Sequence, residues 1–92
     1  MNGNFPADPP TFMSANVRKV LRLAGGAKLS AREITIRLGQ SPGTIGEPSG
    51  FMMNVIRILA QYAERGEALT EMPTAARPEI AYWIEPPKDD AR

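Results

Sequence analysis

The apolar positions of this chain keep a helical spacing through three segments and then change to alternation. Met13, Val17, Val20, Leu21 and Ala24 fall at spacings of 4, 3, 1 and 3, which places them on one face of a helix. Arg18, Lys19 and Arg22 fall on its other side. Ser14 stands where its hydroxyl can cap the first-turn amides, and Gly25-Gly26 stops the run. A second helix is announced by Ser30-Ala31-Arg32-Glu33, a capping box in which serine accepts from a first-turn amide while Glu33 reaches back to the serine amide. Its buried edge is Ala31, Ile34 and Leu38, and Gly39 ends it. With barely two turns it can be stable only by packing on something else.

The third helix is predicted over residues 51–65, capped by Ser49 or Gly50 and ended by Gly66. Its inward stripe is Phe51 or Met52, then Val55, Ile58, Leu59 and Tyr62. The opposite face shows Asn54, Arg57, Gln61 and Glu64. After Gly66 the period falls to two: residues 67–72 read as a strand, Pro73 to Pro78 as a hairpin tip, and residues 79–84 as the returning strand. Ile80, Tyr82 and Ile84 should face one way along it, Ala81 and Trp83 the other. The prediction is an α+β chain, mostly α: three helices and a C-terminal hairpin.

Composition narrows what this fold can do. The 92 residues make one domain, 42% hydrophobic and 23% charged, with 8 glycines and 9 prolines. That is enough for one small core, with proline-rich residues 1–12 as a flexible arm, 13–84 as the folded unit and 85–92 as a disordered tail. With no cysteine and no histidine, disulfides, thiolate or imidazole zinc sites, cysteine nucleophiles and histidine-based triads are excluded. Glu71 and Glu79 are placed to face each other across the hairpin, but a carboxylate pair without a pocket is a surface feature. No enzyme activity, metal or cofactor is expected. No segment is long and apolar enough to cross a membrane or to direct export, so a cytoplasmic location is expected.

Net charge is only +1, yet its distribution is uneven. Between residues 9 and 45 stand Arg18, Lys19, Arg22, Lys28, Arg32 and Arg37 against Glu33 alone, whereas residues 66–92 are acidic on balance. A basic first half suggests a surface that meets a polyanion.

Leu29-Ser30-Ala31-Arg32-Glu33-Ile34 through Leu38-Gly39, the long helix ending at Arg65-Gly66 and the following hairpin resemble a winged helix-turn-helix domain over residues 13–84. The resemblance implies a short strand within residues 25–29 that pairs with the hairpin, a third helix in the major groove of DNA, and a hairpin, or wing, on the backbone or minor groove. It implies a small bacterial or phage-type transcription regulator. Ser41-Pro42-Gly43-Thr44-Ile45 looks like the start of the recognition helix. The connection, Gly39 to Gly50, is twelve residues where three or four are usual. Thr35 takes the place where a small alanine lets the second and third helices approach, and Ile36 then points away from the core.

The side chains fit that function class. Arginine can donate twice to guanine, and asparagine or glutamine can pair twice with adenine, so Asn54, Arg57 and Gln61 form a candidate base-reading face. The first turn of the second helix, at Ser30, offers amides to a phosphate, with Lys28, Arg32 and Arg37 around it. Ser41 and Thr44 are candidate phosphate ligands from the loop and Arg77 from the wing tip; ordinary turn roles are the other reading of the first two. Gly43-Thr44-Ile45-Gly46 lacks the basic residues of an RNA-clamping GxxG loop, and no lysine follows the glycines as in a phosphate loop. Met53, Ile56 and Trp83 lie off the main stripes and form a candidate partner interface, unless the arm or a neighbouring helix covers them. Double-stranded DNA bound by a homodimer is the expected partner. The alternative is a winged-helix protein-interaction module, an adaptor or inhibitor, that binds no DNA.

Overall fold

In the computed structural model, which describes residues 11–86, helix α1 (Thr11–Leu23) leads through a glycine turn into strand β1 (Leu29–Ser30) and directly into helix α2 (Ala31–Arg37). A long connection precedes helix α3 (Gly50–Glu64), and strands β2 (Leu69–Glu71) and β3 (Ala81–Trp83) follow. The result is a small, mostly helical α+β domain whose three antiparallel strands lie in the order β1-β3-β2. β3 is central: Leu29 stands opposite Tyr82 on one side, and Thr70 opposite the same residue on the other.

The core is where the three helical stripes and the sheet meet. Val17 and Leu21 of α1, Ile34 of α2, and Val55, Ile58 and Leu59 of α3 are sealed from solvent. Tyr62 is buried with them and fastens α3 to α1. Its hydroxyl donates to the Ser14 carbonyl oxygen at 2.6 Å and sits 2.5 Å from the Ser14 hydroxyl. Since the phenol proton is spent on the carbonyl, the serine hydroxyl is the donor in the second bond.

Ser14 therefore does not cap α1, which starts at Thr11 and takes Thr11 and Phe12 out of the expected arm. The remainder of that arm, and residues 87–92 of the expected tail, lie outside the described residues. The capping box of α2 is present in full: the Glu33 amide donates to Ser30 Oγ at 3.1 Å and the Ser30 amide to Glu33 Oε1 at 2.8 Å. Ser49 caps α3 through the Met52 amide. On α2 the third buried residue is Thr35 rather than Leu38, which is half-buried. The Thr35 hydroxyl can be sealed in because it donates to the Ala31 carbonyl at 2.8 Å. Ile36 faces solvent, as expected.

Two expectations about the hairpin are corrected. Each strand pairs over three residues only, and Ala81 is as deeply buried as Tyr82, because the central strand is covered on both faces. Glu71 stands opposite Ala81, not Glu79, so no carboxylate pair forms across the strands.

Candidate nucleic-acid interface

α3 presents two adjacent sectors away from the core. At 100° per residue, Asn54, Arg57 and Gln61 fall within about 60° of one another, and Met53, Ile56 and Ala60 form a second sector of about 60° beside them. Arg57 is exposed, while Asn54 and Gln61 are half-buried at the flank. Met53 is 51% and Ile56 39% exposed, so neither is covered by a helix of the domain. Ile56, with Met52, lines a cleft of about 170 Å³ against Ile80 and Tyr82. A wider cleft of about 530 Å³ lies between α3 and the hairpin, with Arg57, Ala60, Gln61 and Glu64 on one side and Thr70 and Met72 on the other. The side of α3 that faces the hairpin thus carries Arg57 and Gln61 as well as the apolar Ile56 and Ala60.

The connection between α2 and α3 does not begin a recognition helix. Gly43 and Pro48 form an isolated antiparallel bridge. Inside it the Thr44 amide donates to the Glu47 carbonyl and the Glu47 amide to the Thr44 carbonyl, each at 3.1 Å. The Ser49 hydroxyl closes the base on the Ser41 carbonyl at 2.7 Å. Ser41 Oγ accepts from the Gly43 amide and Thr44 Oγ1 from the Glu47 amide, so both expected phosphate ligands serve the turn itself. Ile45 sits at the apex, 91% exposed. Here the turn competes with the helix and wins: Gly43 takes a left-handed backbone angle, which a helix does not allow, and the turn's own hydrogen bonds hold it there.

Three of the expected phosphate-holding cations already have carboxylate partners. Lys28 Nζ lies 2.6 Å from Glu71, and 5.0 Å from the centre of the half-buried Trp83 ring. Arg32 stands 3.5 Å from Glu79 and donates to the Gly43 carbonyl at 3.3 Å, joining the loop to the hairpin. Arg77 reaches back 3.3 Å to Glu33, inside the capping box of α2. Its backbone closes the hairpin tip on Thr74. These contacts explain the titration of the two acids. The Ser30 amide holds Glu33 below the ordinary carboxylate value against the opposing effect of burial, and Arg77 adds to the lowering. The hydrogen bond and charge of Lys28 do the same for Glu71. Ser30 itself is sealed in, its hydroxyl spent on the Glu33 amide, and cannot meet a phosphate directly.

Arg37 is exposed at the end of α2, as are Lys19 and Arg22 on α1, and no carboxylate among the described residues pairs with any of them. Sequence reasoning gave Lys19 and Arg22 no site role; their signal was the exposed face of α1. Arg18, by contrast, shares Glu67 with Arg65 and lies 5.0 Å from the Tyr62 ring centre. Among the described residues, no helix is long and apolar enough to cross a membrane. The chain matches no protein-family model, no curated protein and no solved structure.

Proposed function

We propose that this chain is a DNA-binding regulator of winged helix-turn-helix architecture, with α3 in the major groove and the β2–β3 hairpin as the wing beside it. The observation that carries the reading is α3 itself. It is a long, capped helix, buried along one side on α1 and α2, whose outer side bears Arg57 flanked by Asn54 and Gln61. The order of elements, with β3 between β1 and β2 and the hairpin following α3, is the order such a domain requires. Arg57 is the base reader. Arg37 holds phosphate outright, and Lys28, Arg32 and Arg77 do so by exchanging a glutamate for a phosphate.

The test is an electrophoretic shift of wild-type protein on generic duplex at low and moderate salt, followed by titration of Arg57→Ala on a preferred site. The substitution is expected to cost about 1–3 kcal/mol there and to relax discrimination at one base pair. Absence of any shift at low salt sinks the reading. The second reading, a winged-helix module that binds a protein, then takes its place; it is favoured by exposed Met53 and Ile56 beside the apolar cleft, and by the three cations already paired.

A further inference from the structure

Resting on that reading of α3, we propose that Met53, Ile56 and Ala60 recognise the 5-methyl groups of thymines, so that the preferred duplex places thymine next to the guanine met by Arg57. The three residues share one outward sector of the helix, and all three are exposed. Aliphatic side chains held in water on a helix gain nothing until they meet apolar surface. In the major groove the thymine methyl is the one bulky apolar group at the base edges; beside it lie hydrogen-bond donors and acceptors and, on cytosine, only a C5 hydrogen. Polar side chains in this sector would compete for those groups. Met53 and Ile56 instead leave them to Arg57 and to the amides of Asn54 and Gln61 on the adjoining sector.

Geometry and charge fit a duplex as the occupant. From Met53 to Ala60 the helix rises about 10 Å, which is the height of about three stacked base pairs. The apolar sector is one side chain wide and runs beside Arg57, whose cation suits a polyanion; Arg37, on the helix packed against α3, adds a second exposed cation. Ala60, with its short side chain, lets the base edges approach where Met53 and Ile56 reach out. The reading is thus composite: Arg57 supplies the hydrogen bonds, and the neighbouring sector supplies methyl contacts within the same three base pairs.

The experiment starts from duplexes with a randomised core, selected on the wild-type protein. Each thymine of the preferred duplex is then replaced by deoxyuridine, which differs only in lacking the methyl group. Wild-type, Met53→Ala and Ile56→Ala proteins are titrated on each duplex. Thermal unfolding of Met53→Ala should match wild type. Ile56→Ala gives up packing beside Ile80 and Tyr82, so it is titrated at a temperature where its melting curve shows it fully folded. Wild-type affinity should fall about fourfold for each methyl that is contacted. The variant lacking the contacting side chain should show no such fall at that position. A selected site whose thymines can all become uracil without loss, or that contains no thymine, overturns the inference while DNA binding stands. Equal uracil losses in wild type and both variants also overturn it. Recovery of no duplex at low salt removes the DNA reading and this inference together.

Discussion

Gly43 shows how much one position can decide. Its φ of +78° lies in the left-handed region, and a Cβ built there would stand 2.5 Å from the Ser49 amide nitrogen and 2.6 Å from the Glu47 carbonyl oxygen. Both neighbours are backbone, held by the bridge to Pro48, and cannot step aside. Gly50, at the first position of α3, has open space around it and an ordinary helical backbone. Gly43→Ala is therefore expected to destabilise the domain by about 1–3 kcal/mol through backbone strain. Gly50→Ala should stabilise it by about 0.4–1 kcal/mol by restricting the unfolded chain. Urea unfolding of the two variants beside wild type measures both. Equal stability of Gly43→Ala and wild type would mean that the loop is not held closed.

At the scale of elements, α2 is a helix of 7 residues whose N-terminus carries more than its own cap. Glu33 closes the capping box and also receives Arg77 from the hairpin, so its charge serves two elements at once. Its folded-state pKa is lowered, so its contribution is present above the ordinary value of 4.5 and is lost as pH falls through the lower, folded value. Glu71, lowered by Lys28, acts in the same direction. Stability should thus decline below about pH 4.5, and Glu33→Gln should make that decline shallower while lowering stability at pH 7. Thermal unfolding between pH 7 and pH 3 decides it; parallel curves for the two proteins would show that Glu33 has no such role. The capping box was legible in the sequence because its two partners are three residues apart, and α3 because its stripe recurs over four turns. The tie from Glu33 to Arg77 was not, since the partners are 44 residues apart and only the fold brings them together. The connection before α3 escaped for another reason: it is closed by backbone hydrogen bonds and by the Ser41, Thr44 and Ser49 hydroxyls bonding to backbone groups of the turn, and the apolar pattern reports neither. The exposure of Ile36 was legible because it follows from the rotation of one short helix. The place of Thr35 on the buried edge was not, because its polar side chain hides the bond to Ala31 that lets it be sealed in.

Over the whole molecule, the uneven charge seen in the sequence is partly cancelled in space. Arg18, Lys28 and Arg32 of the basic first half meet Glu67, Glu71 and Glu79 of the acidic second half, while Arg77 and Glu33 pair in the opposite sense. Counting charges along the chain gives about four phosphate contacts per protomer and a slope of log affinity against log salt near −3.6. The pairs change that expectation. When a paired cation moves to a phosphate, its glutamate is left to take up a cation from solution, which offsets the counterion released from DNA. With Arg57 reading a base, Arg37 is the outright phosphate contact and sets the expected wild-type slope, at about −0.9 per protomer, and twice that for a dimer. Glu71→Gln and Glu79→Gln each remove a negative charge beside the path of the backbone and release a cation toward it. Each should therefore tighten binding at low salt on every sequence alike and steepen the slope by up to about 0.9. Arg57→Ala should instead weaken binding most at the preferred site. Fluorescence titrations at several salt concentrations, with the mass of the complex followed by light scattering to count protomers, separate these outcomes. If the two glutamine variants leave both affinity and slope unchanged, the hairpin cations do not approach the phosphates, and contact with DNA is confined to α3 and the end of α2.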